Sequence, residues 1–514
     1  MATELPMPRL ERSSSPVRWA QVLRRHPLLW QGAIIVLAIA LTAYYTLSAD
    51  RDFWYDEAML VQAVRMDGWL APWQPLSHFE QSSPWGVYLI QKLLLQVLGF
   101  QPDLLRLPGL IAYAIGGIAT WLASRTLLGE VPGLLGGVWA LASLDAVQIS
   151  GDFKHYVFEF CVTGVLLWLT ARAAQSHARR DDVLLLVAAI LSIPFSNTVV
   201  LVTPGLALLL VAARGGSRWI STMVGGVCFL IAYGIWYLIS IRPASAFQTA
   251  YPTYRETSTT DLYASIVQSV AQPDANYIVS LTTLALVGAG VSIFWRRATF
   301  LPAVPAICAV IGGWLGVWTG IVPISADRHM LFIVPMVALA AAAAVRAITD
   351  VMRAAVPPPR RHARLAAATI GSVLALGATV TIAPHAGVMR QQAGQAVAQY
   401  AGTCPTFYVD WWTQPSTQLY AEADGIPDRV HGAVDTRSGM GRASWAYRVI
   451  DEPARYQAAL VDYVGAHPDT CVLTGGREDE NALVLQPLAA AGLPCRQIGV
   501  VPGIQINRCG KENE

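Results

Sequence analysis

Asp56 and Glu57 stand side by side within Phe53-Trp-Tyr-Asp-Glu-Ala58, in a stretch that also carries Asp50, Asp52, His78, Glu80 and Gln81. A carboxylate held beside a hydroxyl can take its proton as the oxygen attacks. The same acid at the start of a helix can instead cap it, by accepting an unpaired backbone N–H. Residues 57–64 read as helical, and Asp56 stands at the capping position. Lys154, His155 and Arg328 are potential cations at the ends of apolar runs. Each alone could lay its stem along lipid and reach the headgroups; together they could hold an anion and stabilise it as it leaves. Asp56, Glu57, Glu80, His78 and His155 could form a metal site, yet no His-x-x-x-His or Cys-x-x-Cys spacing accompanies them. No obligatory cofactor is expected, and a divalent cation remains open.

The elements that must position these groups belong to a membrane. The 514 residues are 54% hydrophobic and only 14% charged, with mean hydropathy +0.43; a soluble domain carries about 25% charged residues. Eleven apolar runs are candidate spans: 28–48, 104–126, 131–149, 156–173, 182–195, 197–213, 219–240, 277–295, 301–322, 329–347 and 365–384. The first is too long for a signal-peptide core and lacks a cleavage site, so it reads as a retained span. The pair 182–195 and 197–213 is short and could form a hairpin that does not fully cross. With the N-terminus inside, the inner ends collect eighteen arginines, among them Arg9, Arg125, Arg179, Arg214, Arg296 and Arg360. The outer loops and span ends before residue 386 hold eight basic residues, so the positive-inside rule selects this orientation. Arg, Ala and Gly usage fits a GC-rich bacterial genome, which makes the expected location a bacterial inner membrane.

The expected fold is mainly α: a polytopic bundle of about eleven spans with a C-terminal extracytoplasmic α/β domain. Residues 1–27 form a cytoplasmic tail, 28–385 the membrane module with first outer loop 49–103, and 386–514 the outer domain. That domain shows β-like runs at 406–410 and 471–474 and a helix-like stretch at 452–465, an α/β alternation. It holds Cys404, Cys471, Cys495 and Cys509, while Cys161, Cys228 and Cys308 lie in apolar spans as small hydrophobes. An even cysteine count in an oxidising compartment points to two disulfides. Cys495 and Cys509 flank a terminal hairpin and are paired; Cys404 is then paired with Cys471. The Gly-Gly pairs at 116–117, 136–137, 225–226 and 312–313 lie in spans, where close helix packing is the expected reason.

Several motifs in order resemble a family. Trp54-Tyr-Asp-Glu-Ala58 directly after the first span resembles the GT-C superfamily of integral-membrane glycosyltransferases. Its closest likeness is to the branch of protein O-mannosyltransferases and lipid A-core glycosyltransferases. Ser83-Pro-Trp-Gly-Val-Tyr88, Gly99 and Leu104-Leu-Arg-Leu-Pro108 are similar to the family's Pro-led helix, Gly, and Arg-Leu-Pro entering the second span. Ser150-Gly-Asp-Phe-Lys-His-Tyr156 resembles the outer end of its third span. Asp327-Arg328-His329 resembles a later Arg-Tyr, with His in place of Tyr. The likeness covers roughly residues 28–350.

The resemblance implies a polyprenyl-phosphate-linked sugar as donor and a glycan, glycolipid or protein as acceptor, at the outer face of a bilayer. It implies Asp56 as the base, with Glu57 orienting the acceptor or a cation and Glu80 as the second candidate acid. Lys154, His155, Arg328 and His329 are then expected at the donor phosphate. Trp54, Tyr55, His78, Asp152, Tyr156 and Tyr254 are expected around sugar and acceptor. With one base opposite the leaving group, transfer should invert the anomeric centre. A nucleic-acid partner is not expected. The rival readings are a lipid or glycan transporter, which lacks support because no inverted repeat is visible, and a non-catalytic glycan-binding scaffold.

Overall fold

A computed structural model describes residues 27–48, 51–76, 79, 81–176, 178–214, 219–244, 301–318, 328–355, 392–411, 413–432, 453–475 and 478–510. The membrane part is a helical bundle. Helix α1 (Pro27–Ser48) is followed by α2 (Tyr55–Met66) and α3 (Trp85–Leu98). Next come α4 (Pro102–Leu128), α5 (Glu130–Leu141), α6 (Leu144–Ile149), α7 (Tyr156–Ser176), α8 (Arg179–Ser192) and α9 (Val199–Arg214). Helix α10 (Trp219–Trp236) continues through a π turn to Ala244, and α11 (Val304–Trp318) and α12 (Val334–Ala355) complete the described bundle.

Among the described residues four helices are long and apolar enough to cross a membrane: Pro27–Ser48, Pro102–Leu128, Tyr156–Ser176 and Trp219–Ala244. The expected count of eleven is therefore not established. The run 131–149 is interrupted at Ala142-Ser143, where α5 stops and α6 begins. The run 182–195 ends in a 3₁₀ turn, Ile193–Phe195, centred on Pro194, which cannot continue a helix without losing a hydrogen bond. Expected spans 277–295 and 365–384 lie outside the described residues, as does the boundary at 385. Leu29, Val36, Ile111, Leu191, Val224, Ile231 and Leu238 are exposed apolar side chains distributed around α1, α4, α8 and α10. Such an apolar girdle suits lipid and not water.

Small residues bring the helices together. A Cβ on Gly116 of α4 would lie 2.5 Å from Phe160 of α7, and one on Gly164 would lie 2.5 Å from the Gly116 carbonyl oxygen. Gly137 is as tight against Trp121. A Cβ on Gly312 would lie 3.2 Å from the Leu201 carbonyl oxygen, whereas no described residue comes within 4 Å of one on Gly225 or Gly226. The expected packing is therefore seen at the 116–117 and 136–137 pairs, and no described residue packs against the 225–226 pair. At the arginine-rich helix ends the charges pair: Arg125 with Glu130 at 2.6 Å, Arg172 with Asp181 at 3.0 Å, and Arg214 with Asp182 at 2.6 Å.

The C-terminal segment is α/β. Its described elements are α13 (Ala393–Tyr400), β1 (Phe407–Val409), α14 (Gln414–Ala423), β2 (Val430–Gly432), α15 (Pro453–Ala466), β3 (Thr470–Gly475), α16 (Glu478–Ala490), β4 (Cys495–Val501) and β5 (Ile504–Cys509). The sheet order is β2-β1-β3-β5-β4. The first three strands are parallel, and β5 runs antiparallel to both β3 and β4. At the carboxyl end of β1, Asp410 accepts from the Thr413 N–H and hydroxyl, both at 2.6 Å, and from the Gly475 N–H at 2.6 Å. That carboxylate ties two strand ends together.

Cys404 and Cys471 are joined, as are Cys495 and Cys509, the latter pair facing each other across the β4–β5 hairpin. The Cys404–Cys471 bridge closes 67 residues and is wholly buried. Replacing both cysteines with alanine should lower stability by about 2–4 kcal/mol, because the unfolded chain regains the entropy of an open loop. Thermal melting in detergent, with and without reductant, checks this: the wild type should lose more stability on reduction than the variant, which keeps only the Cys495–Cys509 bridge.

Candidate active site

The segment after α1 builds the site because its backbone is held on two sides. Glu57 lies in the first turn of α2, fully buried, and one oxygen accepts from the Trp54 N–H at 3.3 Å. The other accepts from the Phe153 N–H at 2.6 Å, across to the turn before α7. Trp54 is the N-cap position and Asp56 lies inside the helix. The capping work expected of Asp56 thus falls to Glu57, whose longer side chain reaches back to the N-cap N–H.

Asp56 is left for another partner. It is 1% exposed and 3.0 Å from the Lys154 ammonium, itself 3% exposed, which also donates to the Gln81 side-chain oxygen at 2.7 Å. A buried ion pair must be well hydrogen-bonded to persist, and Gln81 contributes to that. The helix N-terminus beneath the two carboxylates adds a favourable partial positive charge. Asp152 and Tyr156 are buried in the same turn, and the His155 ring lies 4.4 Å from that of Tyr156. Trp54 and Tyr55 pack edge to face at 4.8 Å beside Met59 and Tyr408.

The structure therefore joins Asp56, Glu57, Lys154, Asp152, His155 and Tyr156 around the meeting of α2 with the α7 entrance. Arg328 and His329 open the 3₁₀ turn Arg328–Ile333 that leads into α12, and this turn packs against α7. His78, Glu80 and Tyr254 lie outside the described residues. No group of three or more His, Cys, Asp or Glu converges among the described residues. A cavity of about 470 Å³ lies elsewhere, between α8, α9 and α10, lined by Leu185, Leu206 and Phe229, and includes none of the expected site residues.

Several positioning residues have no sequence motif of their own. Lys92 on α3 donates to the carbonyls of Val64, Arg65 and Asp67 at 2.7, 3.2 and 2.6 Å, closing the C-terminal end of α2. Burial pulls its ammonium below the usual lysine range, and Asp67 opposes that shift. Arg106, within the Arg-Leu-Pro motif, is 1% exposed; its guanidinium lies over the Phe53 ring at 4.6 Å and donates to the Asp52 carbonyl. From the terminal domain, Tyr420 accepts the Phe53 N–H at 2.7 Å, Gln392 accepts the Asp52 N–H at 2.9 Å, and the Gln395 N–H donates to the Asp52 carboxylate at 3.0 Å. Gln62 of α2 donates to the Pro415 carbonyl at 2.8 Å. Phe53, Val61, Leu105, Phe153, Leu419 and Ile506 share one core. The acid-bearing helix is thus clamped between membrane bundle and terminal sheet. Burial chiefly, with Asp52 assisting, pushes the Tyr420 phenol far above its ordinary pKa and keeps it neutral.

Tyr420→Phe leaves the buried Phe53 N–H without an acceptor, which costs about 1–3 kcal/mol. Stability should fall by that amount and turnover should fall with it, because the backbone leading to Asp56 loses a fixed point. Unchanged melting and unchanged turnover together would remove Tyr420 from the clamp.

Comparison with known proteins bears on the fold. Residues 82–239 match the family described as dolichyl-phosphate-mannose-protein mannosyltransferase. No curated protein matches the sequence significantly. The fold is similar to ArnT from Cupriavidus metallidurans bound to undecaprenyl phosphate, with TM-score 0.56 at 13% identity, covering 93% of this chain and 98% of that one. The apo structure of that protein gives TM-score 0.56 at 14% identity, covering 93% and 97%. The oligosaccharyltransferase AglB from Archaeoglobus fulgidus, in complex with an inhibitory peptide and a dolichol-phosphate, gives 0.51 at 10%, covering 94% and 74%. The chain therefore shares the fold of these membrane proteins over most of its length, and a mannosyltransferase family model matches it at residues 82–239.

Proposed function

We propose that the protein is a membrane glycosyltransferase that moves a hexose or pentose from a polyprenyl-phosphate carrier to an acceptor hydroxyl. The acceptor is an envelope glycan, a glycolipid or a protein. The observation that carries this reading is the buried Asp56–Lys154 pair at the junction of α2 and the α7 entrance. Support for the donor class comes from the lipid phosphates bound to the ArnT and AglB structures and from the mannosyltransferase family matched at residues 82–239.

In this mechanism Asp56 accepts the proton of the attacking hydroxyl. Glu57 fixes the helix start, so that the base keeps its position. Lys154, with His155, Arg328 and His329, offers cationic and hydrogen-bonding groups to the phosphate as charge grows on it. Glu80 is the second acid of the site, and Trp54, Tyr55, His78, Asp152, Tyr156 and Tyr254 surround sugar and acceptor. A single displacement inverts the anomeric centre. The site faces away from the cytoplasm of a bacterial inner membrane, with the N-terminus inside, residues 28–385 as the membrane module and 386–514 outside.

Purified protein in nanodiscs, given undecaprenyl phosphates carrying mannose, glucose or arabinose together with an envelope extract, tests this. Release of undecaprenyl phosphate coupled to an acceptor product of inverted configuration is expected. Release from none of the donors would overturn the reading, and retention of configuration would overturn the single displacement.

A further inference from the structure

Glu159 lies in the first turn of α7, in an apolar helix, and is 2% exposed. A carboxylate at such depth is costly and normally paired or functional. One Glu159 oxygen is hydrogen-bonded to Thr198, and Oε2 has no hydrogen-bond partner among the described residues. Two further buried polar atoms, Ser83 Oγ and Trp85 Nε1, also lack a partner among the described residues.

Contacts through residues 81–86, 195–198 and 233–236 link these three groups. Gln81 starts the segment at Lys154, to which its side chain is bonded. Trp85 ends it against Trp236, with ring centroids 6.1 Å apart. Gly86 rests so closely on Phe195 that a Cβ would meet the ring at 2.7 Å. One turn before Trp236, Tyr233 donates to the Asn197 carbonyl at 2.8 Å, next to Thr198, and lies within electrostatic reach of Glu159. The segment 81–86 therefore bridges from the Asp56–Lys154 pair to the surroundings of Glu159.

We propose that Glu159, Ser83 and Trp85 form the subsite that reads the hydroxyl pattern of the transferred sugar. This rests on the donor class proposed above. Buried polar groups without partners call for an explanation, and a few placed polar groups in an apolar wall are how small-molecule sites set specificity. Glu159 supplies an acceptor, Trp85 a donor, and Ser83 either. A polyhydroxylated ring offers the complementary donors and acceptors. A phosphate does not suit Glu159, because a buried carboxyl group offers an anion neither a cation nor a set of N–H donors. The division of labour is chemical: the Lys154 side takes the anion and the Glu159 side takes the neutral ring.

The test measures binding of bare undecaprenyl phosphate against undecaprenyl phosphates carrying mannose, glucose or arabinose, to the full chain in nanodiscs. The wild type should bind bare carrier and prefer at least one sugar-bearing form. Glu159→Gln should reduce that preference about tenfold or more while leaving bare-carrier affinity unchanged. Ser83→Ala and Trp85→Phe should each reduce it less, and they carry the test if Glu159→Gln does not fold. Equal weakening of bare and loaded carrier, or an unaltered preference, would overturn the proposal, as would a wild type that binds the bare carrier but ignores every sugar. A wild type that binds no carrier at all would bring down the donor assignment itself, and the subsite with it.

Discussion

Asp56→Asn should reduce sugar transfer by about 10²-fold or more, the contribution of a positioned base. The amide keeps the shape of the side chain but cannot take up a proton from an acceptor hydroxyl. The structure adds a second effect, because Lys154 then keeps a buried ammonium without its counter-charge. Removing one partner of a buried pair costs about 3–5 kcal/mol, so the variant should also melt earlier. The double variant Asp56→Asn, Lys154→Gln removes both charges and should recover much of that stability while remaining inactive. Activity within a few-fold of wild type in a folded Asp56→Asn protein would transfer the base to another acid. Recovery of activity in the double variant would refute proton transfer at this position altogether.

Lys154→Ala should be the second large effect, and for two separable reasons. It strands the buried Asp56 carboxylate, with a stability loss of about 3–5 kcal/mol, and it removes a cation from the place proposed for the phosphate. Kinetics with donor and acceptor varied independently separate the two in the surviving folded fraction. The expected defect lies in the use of the lipid donor. A defect confined to the acceptor KM would make Lys154 solely a support for Asp56.

What the sequence made legible was local. The adjacent acids, the lysine before the third long apolar helix and the terminal cysteine hairpin all announce themselves through neighbours in the chain. Cys495 and Cys509 could be paired because a hairpin brings its two ends opposite each other, as β4 and β5 do. The division of roles between Asp56 and Glu57 was not legible, since it depends on the Phe153 N–H and the Lys154 ammonium, nearly a hundred residues away. Tyr420 carries no motif, and its contact with Phe53 spans 367 positions. Glu159 did leave a trace, a lone acid in an apolar run, but hydropathy averages such a residue away. The span count suffered in the opposite sense. Apolar length alone cannot separate a helix that crosses from two short ones broken at Ala142-Ser143 or at Pro194.

The clamp on the acid-bearing helix also sets an order in time. Translation delivers residues 51–66 early, yet Tyr420, Gln392 and the Pro415 carbonyl that hold them emerge only after the described membrane helices have been made. Until then Asp52, Phe53 and Gln62 have no fixed seat on that side, and Val61 and Leu60 lack the apolar cover they share with Leu419 and Ile506. Contacts this distant in sequence are slow to form because a long loop must first close. Nascent chains halted before residue 392 should therefore be membrane-inserted but inert, so that catalytic competence arrives in a single late step.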